Sequence, residues 1–77
     1  MRTVTLYTRD GCHLCEEAEA ALATLDVPFT LLRVDVEADD ELFKRYLERI
    51  PVVAVDGEEV FDYVVDVPEL RRKLMAR

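Results

Sequence analysis

Two cysteines, Cys12 and Cys15, stand three positions apart and are the only cysteines in the 77-residue chain. They lie where a run of alternating apolar and β-branched residues gives way to an alanine-rich run with helical spacing. A thiolate is both a nucleophile and a metal ligand. The pair therefore has three candidate identities: a dithiol that opens and closes as a disulfide, half of a metal site, or two inert buried thiols.

The position of the pair at a helix start favours redox chemistry. Within a full helix the Cβ atoms of residues i and i+3 lie roughly 5–6 Å apart, whereas a disulfide requires about 3.8 Å. Bridging is feasible if Cys12 lies at the frayed helix start, where the preceding Gly11 permits a close approach. Helix N-termini lower thiol pKa values from about 8.5 to ~3.5–7.5 in such motifs. We therefore expect Cys12 to attack and Cys15, one turn deeper, to resolve the mixed disulfide.

Charged residues of both signs surround this motif. Arg9 and His13 add positive potential near the first sulfur, and we expect only partial activation because three acidic neighbours oppose them, namely Asp10, Glu16 and Glu17. For His13 the alternative is a solvated residue of the first helical turn. Arg9 has the same alternative of a solvated surface position.

A metal site is difficult to complete within one chain. Structural zinc takes four ligands, typically two cysteine pairs or one pair with two histidines. This chain has two cysteines and a single histidine, which lies between them. A dimer that shares an iron–sulfur cluster or zinc between two cysteine pairs stays open as an alternative. Inert thiols are disfavoured because nothing would place such a pair at a helix start after a glycine turn.

Length and charge restrict the function classes. A chain of 77 residues has room for one core, so we expect a single domain over residues 1–77. The net charge of −7 argues against a nucleic-acid partner. No secretory leader is visible, and the longest apolar run, IPVVAV, is far too short to span a bilayer. We therefore expect a cytosolic protein without a membrane partner, and stable structural disulfides are rare in that compartment.

The first half of the chain is typical of a βαβ unit. Alternating residues predict a strand over residues 3–8, and Asp10-Gly11 predicts a turn. Helical spacing continues to about Leu25 before Pro28, with an expected buried stripe of Leu14, Ala18, Leu22 and Leu25. A second apolar run predicts a strand over residues 29–35. Short connections make this pair of strands parallel.

The second half predicts a helix, a hairpin and a final helix. The second helix presents Leu42, Phe43, Tyr46 and Leu47, with Asp39 or Asp40 as its N-cap. Asp56-Gly57 predicts a type I′ turn between two strands. Asp66 and Glu69 form a capping box before an apolar stripe of Val67, Leu70 and Leu74, and the basic segment RRKLMAR complements the dipole of the helix end. The predicted fold class is α/β: a four-stranded mixed sheet in the order βαβαββα, with helices on both faces.

These features together resemble the thioredoxin fold in its smallest form, that of the glutaredoxin-like proteins. The resemblance rests on Cys12-His13-Leu14-Cys15 at the start of a long helix and on Ile50-Pro51 before a hairpin, and it covers essentially the whole chain. The segments TRDGCHLCEEA and RIPVVAVDGEE look like a small bacterial branch of that group.

The resemblance implies a thiol–disulfide oxidoreductase that reduces protein or low-molecular-weight disulfides. In it Cys12 attacks and Cys15 resolves, Pro51 corresponds to a cis-proline facing the dithiol, and Ile50 offers backbone groups to an extended substrate. The resemblance implies no permanently bound cofactor. The electron donor is either glutathione or a flavin-linked thioredoxin reductase, and we expect a monomer.

The chain also departs from typical glutaredoxins, which carry Pro-Tyr between the cysteines, Thr-Val before the cis-proline and Gly-Gly ahead of the last helix. Here these positions have His13-Leu14, Arg49-Ile50 and a segment without glycine, FDYVVD. Arg49 is a second cation that could bind the carboxylate of an anionic thiol, or a solvated residue that ends a helix. The candidate substrate-binding residues are Arg9, His13, Arg49, Ile50 and Pro51. An arsenate-reductase-like activity shares the fold, although the acidic residues around Cys12 match that family poorly.

Overall fold

The computed structural model describes residues 1–76, and its elements follow the predicted order. The strands are β1 (Arg2–Thr8), β2 (Phe29–Asp35), β3 (Val52–Val55) and β4 (Glu58–Asp62). The helices are α1 (His13–Leu22), α2 (Asp40–Tyr46) and α3 (Val67–Met75), and a short 3₁₀ turn spans Val36–Ala38. The sheet order is β2-β1-β3-β4. Because β2 is parallel to β1 while β3 and β4 are antiparallel, the mixed four-stranded sheet of the prediction is confirmed.

The sheet has a hydrophobic cluster on each face, since successive side chains of a strand point to opposite sides. On one face Val4 and Leu6 of β1 pack with Leu22 of α1 and Leu70 of α3. On the other face Tyr46 of α2 packs with Cys15 of α1 and with three residues of the neighbouring loops and β3, namely Val36, Ile50 and Val52. The second cluster therefore joins α2 to the cysteine pair.

Several local predictions are confirmed by the backbone. Asp39 is the N-cap of α2, and its carboxylate accepts from the N–H groups of Glu41 and Leu42. Asp56 and Gly57 have φ values of 50° and 88°, as a type I′ turn requires at its two central positions. The predicted capping box at α3 is only half confirmed: the Asp66 carboxylate accepts from the N–H of Glu69, but the Glu69 carboxylate forms an ion pair with Arg72 instead of bonding back to the Asp66 N–H.

Two predictions about α1 are wrong. The helix ends at Leu22 rather than near Leu25, because the N–H groups of Thr24 and Leu25 turn to acceptors three residues back, Ala21 and Leu22. Leu14, predicted to be in the buried stripe, is 43% exposed. It lies in the first turn of α1, where its neighbour is the loop before α3 rather than the sheet.

The basic C-terminal segment is only partly a dipole complement. Arg71 forms a salt bridge with Asp26 in the loop after α1, which lowers the pKa of the Asp26 carboxyl through a hydrogen bond and charge attraction. Arg72 and Lys73 lie in the last turn of α3. Arg77, the fourth basic residue of that segment, lies outside the described residues.

Candidate functional site

Cys12 and Cys15 are joined as a disulfide at the start of α1, with their Cα atoms 5.2 Å apart. Cys12 is the N-cap residue of the helix, in an extended conformation with φ −89° and ψ 108°. Its sulfur accepts a hydrogen bond from the backbone N–H of Cys15 at 3.2 Å. Cys15 is only 2% exposed, whereas Cys12 is half-buried. One sulfur is therefore accessible and the other is shielded beneath it.

The turn between β1 and α1 places the pair. Gly11 has a φ of 78°, a left-handed conformation that glycine adopts without the cost other residues incur. The Cys12 carbonyl accepts the first helical bond, from the Glu16 N–H at 3.1 Å. Cys12 thus caps the N-terminus of α1, where the Cys15 N–H and the positive end of the helix dipole favour negative charge on its sulfur.

The loop between α2 and β3 contacts the cysteine pair. Its Ile50–Pro51 peptide bond is cis, as the resemblance implies, and Pro51 is fully buried. Ile50 belongs to the same hydrophobic cluster as Cys15. The Ile50 N–H already donates to the Tyr46 carbonyl at 3.0 Å. The Ile50 carbonyl accepts no loop backbone hydrogen bond within residues 1–76.

The backbone of Tyr63 holds the loop that contains Ile50 and Pro51. Its N–H donates to the carbonyls of Arg49 and Pro51, at 3.2 and 3.0 Å, on either side of Ile50. Tyr63 itself has a φ of 65°, which is uncommon for a residue other than glycine. The loop before α3 and the cis-proline loop therefore hold one another in place.

Arg49 is engaged by carboxylates of β4. Its Nη2 donates to Glu59 Oε1, and its Nε lies 3.4 Å from Asp62 Oδ2. The guanidinium also lies over the ring of Tyr46, 5.5 Å from its centre. These contacts connect the cis-proline loop to the hairpin, and a substrate carboxylate would have to compete with both acids for Arg49.

Sequence reasoning missed the polar centre of this cluster. Tyr46 is 4% exposed, stacks on Tyr7 with ring centres 4.2 Å apart, and donates from its hydroxyl to Glu59 Oε2 at 2.8 Å. Burial, and then the hydrogen bond to Glu59, raises the pKa of Tyr46 to about 12. Hydrogen bonds from Arg49 and then Tyr46 lower the pKa of Glu59. Beyond the apolar spacing of Tyr46, the sequence gives no indication that Tyr46, Glu59 and Arg49 meet. Their contact depends on the register of the β3–β4 hairpin.

The two other candidate binding residues are Arg9, which lies in the turn before α1, and His13, which is the first residue of α1. Arg9 lines a groove of about 490 Å³ together with Gly11 and Cys15, and its Nε is 4.0 Å from Glu37 Oε1. His13 is highly exposed, with its ring nitrogens 3.9 and 3.6 Å from carboxylate oxygens of Glu16 and Glu17. The structure thus brings Ile50 and Pro51 to the cysteine pair, pairs Arg9 and Arg49 with acids, and leaves His13 in solvent.

Within residues 1–76 no three histidine, cysteine, aspartate or glutamate side chains are grouped as metal ligands. No helix in this part of the chain is long and apolar enough to cross a membrane.

Comparison with known proteins agrees with this geometry. Residues 3–75 match the family model described as glutaredoxin-like domain (DUF836). The chain is 33% identical to an uncharacterized protein of Mycobacterium tuberculosis over 75 residues, which cover 88% of this chain and 77% of that protein. An uncharacterized protein of Mycobacterium bovis shows the same identity and coverage.

Solved structures share the fold. A structural genomics target protein from X. campestris is 39% identical, with a TM-score of 0.79 over 92% of this chain and 93% of that one. A solution NMR structure of a protein from Nitrosomonas europaea is 26% identical, with a TM-score of 0.70 over 94% and 89%. A mutant thioredoxin from Halobacterium salinarum, 24% identical, has a TM-score of 0.67 over 94% of this chain and 70% of its own. This last likeness concerns the fold alone.

Proposed function

The chain belongs to the glutaredoxin-like domain family, and on that premise we propose that it is a thiol–disulfide oxidoreductase using Cys12 and Cys15. Its substrates would be disulfides of proteins or of low-molecular-weight thiols. The observation that carries the proposal is the asymmetry of the pair: Cys12 is a half-buried helix N-cap, and Cys15 is fully buried one turn deeper within bonding reach. An inert structural bridge has no need for that difference.

Each residue has a defined role in the proposed cycle. In the reduced protein the first-turn N–H groups stabilise the Cys12 thiolate, which attacks a substrate sulfur and expels the other as a thiolate. Cys15 then loses its proton and attacks Cys12, which releases the second substrate thiol and leaves the bridge seen in the structure. The Ile50 carbonyl accepts a hydrogen bond from a backbone N–H of an extended substrate, while the buried Pro51 holds that loop beside the cysteine pair.

The remaining parts of the proposal are the electron donor and the cellular setting. Two electrons must return to the bridge, from glutathione or from a flavin-linked thioredoxin reductase, and no bound cofactor is needed. We propose a cytosolic monomer without nucleic-acid or membrane partners. In that compartment a close cysteine pair is more often catalytic than structural.

The proposal is tested by turnover of a neutral disulfide, bis(2-hydroxyethyl) disulfide. Glutathione with glutathione reductase, and thioredoxin reductase with NADPH, serve as parallel donors. We expect turnover with at least one donor and none in Cys12→Ser, which keeps the fold but lacks the nucleophile. Arsenate offered instead of the disulfide is expected to give no turnover. Equal rates for the wild type and Cys12→Ser with both donors would refute the proposal.

A further inference from the structure

Three exposed apolar side chains line one groove along the helix that carries the cysteine pair: Leu14, Tyr63 and Val64, here called the Leu14 patch. Tyr63 and Val64 are 55% and 74% exposed. Together they line a groove of about 230 Å³ between α1 and the loop before α3. Leu14 follows Cys12 by two residues, and the Tyr63 N–H holds the loop that carries Ile50. The patch therefore lies where a disulfide partner would lie.

The loop conformation also indicates that the patch is built rather than incidental. Tyr63 keeps a left-handed backbone conformation, which costs a tyrosine free energy that the rest of the fold must supply. Its N–H, shared between the carbonyls of Arg49 and Pro51, ties the loop to the cis-proline segment at this residue, and Tyr63 and Val64 both line the groove.

The charges around the patch are unbalanced. The two arginines predicted to bind a substrate both lie beside acids: Arg9 is 4.0 Å from Glu37, and Arg49 pairs with Glu59 and Asp62. Glu17, in contrast, lines the groove itself and has no lysine or arginine partner among the ion pairs of the described residues; the imidazole of His13 lies 3.6 Å from it.

Glu16 reinforces this imbalance, since it too has only His13 beside it among the ion pairs of the described residues. The α1 side of the rim that follows Cys12 is consequently acidic, whereas Arg9 lies in the groove on the opposite side of Glu16, and the net charge of the chain is −7. Such a rim attracts cationic groups and repels anionic ones.

We infer that the preferred partner of the dithiol carries an apolar side chain for the Leu14 patch and a cationic side chain for Glu17, both next to its disulfide. This inference rests on the proposed function and specifies its substrate class. A basic, apolar protein segment fits this description, whereas oxidised glutathione, with four carboxylates and two ammonium groups, does not. The chemistry is unchanged: two electrons pass from the Cys12–Cys15 dithiol to the partner disulfide, which leaves as two thiols.

The inference is tested with four peptide disulfides of matched size. Each is a symmetric dimer of acetyl-Ala-X-Cys-Z-Ala-amide, where X is leucine or serine and Z is lysine or glutamate. Reduced protein is mixed with each dimer, and samples are quenched with acid and alkylated at a series of times. Mass spectrometry then gives the fraction of oxidised protein at each time, and hence the rate constant. Each rate constant is divided by that of dithiothreitol with the same peptide, which removes differences in intrinsic disulfide reactivity.

We expect the leucine–lysine dimer to react fastest. Replacing its lysine by glutamate is expected to lower the normalised rate constant about fivefold at low salt, and less than about twofold at high salt because the charges are screened. Replacing its leucine by serine is expected to lower the constant about threefold. Glu17→Gln reduces only the charge preference and Val64→Ser only the apolar one. Glu58→Gln, the same charge change in the distant hairpin, is the control and alters neither.

Three results would overturn the inference. Equal normalised constants for all four peptides, or faster reaction of the glutamate peptides, would exclude a cationic partner. A dimer in sedimentation velocity that is lost in Val64→Ser would assign the patch to a second copy of the chain. If instead no peptide oxidises the wild type faster than it reacts with Cys12→Ser, the proposed function itself fails.

Discussion

Replacing Tyr46 by phenylalanine tests the polar centre that connects the cis-proline loop to the hairpin. The ring and its stacking on Tyr7 remain, so the change removes only the hydroxyl that donates to Glu59 Oε2 at 2.8 Å. A hydrogen bond to a charged group contributes about 1.5–3 kcal/mol. We expect the lower end, about 1.5 kcal/mol, because Glu59 keeps Arg49 and is open enough to recruit water.

That loss is a large part of the stability of so small a chain. At about 0.05–0.15 kcal/mol per residue, the free energy of unfolding is roughly 4–12 kcal/mol. With a slope of about 1 kcal/mol/M, urea denaturation of the oxidised protein should show a midpoint about 1.5 M lower in Tyr46→Phe. Tyr63→Phe is the matched control, since Tyr63 is mostly exposed, and should change the free energy by less than about 0.5 kcal/mol.

The pH dependence of the free energy of unfolding gives a second test of the Tyr46→Phe prediction. Because the pKa of Glu59 is lowered in the folded state, its contribution is present above the unfolded pKa of about 4.3 and is lost as the pH falls through the folded value. The pKa of Tyr46 is raised to about 12, so its contribution is complete below about pH 10 and is lost as the pH rises toward 12. The difference between wild type and Tyr46→Phe should therefore be largest between these limits. Equal urea midpoints for Tyr46→Phe and Tyr63→Phe near pH 7 would refute the reasoning.

Three further predictions concern the turn, the core and the cysteines. Gly57→Ala places a side chain at a φ of 88° and should lower the free energy of unfolding by about 1 kcal/mol without altering redox behaviour, measured by urea denaturation. Leu22→Ala empties a fully buried site and should cost about 2–5 kcal/mol, whereas Leu32→Ala on the exposed edge strand should cost far less; similar losses would contradict the described core. In the reduced protein at neutral pH, iodoacetamide should alkylate Cys12 at least about tenfold faster than Cys15, as followed by peptide mass spectrometry, and equal rates would count against the assigned roles.

The order of elements was predictable because short-range chemistry determines it. Asp39 and Asp66 cap their helices, and Asp56-Gly57 forms the expected turn, since each depends on residues within a few positions. The cysteine pair was predictable for the same reason, because its helix start follows directly from Gly11 and the spacing after it.

What depended on tertiary packing was not predictable. The exposure of Leu14 reflects which neighbour covers the first turn of α1, and helical spacing carries no information about that. The pairing of Arg49 with Glu59 requires the register of the hairpin, including the irregularity between Val53 and Ala54. An arginine predicted to be available for a substrate is for this reason held by two acids of β4.

The central claim, that Cys12 and Cys15 exchange electrons rather than form a fixed bridge, is tested most directly by the reduction potential of the pair. The protein is equilibrated in oxygen-free glutathione redox buffers, quenched and alkylated. Mass spectrometry then gives the fractions of the dithiol and disulfide forms at each buffer potential. We predict one two-electron transition between about −270 and −120 mV, the range of thioredoxin-fold oxidoreductases. A potential below about −300 mV, which is typical of structural disulfides, or a failure of the two sulfurs to interconvert would contradict the claim.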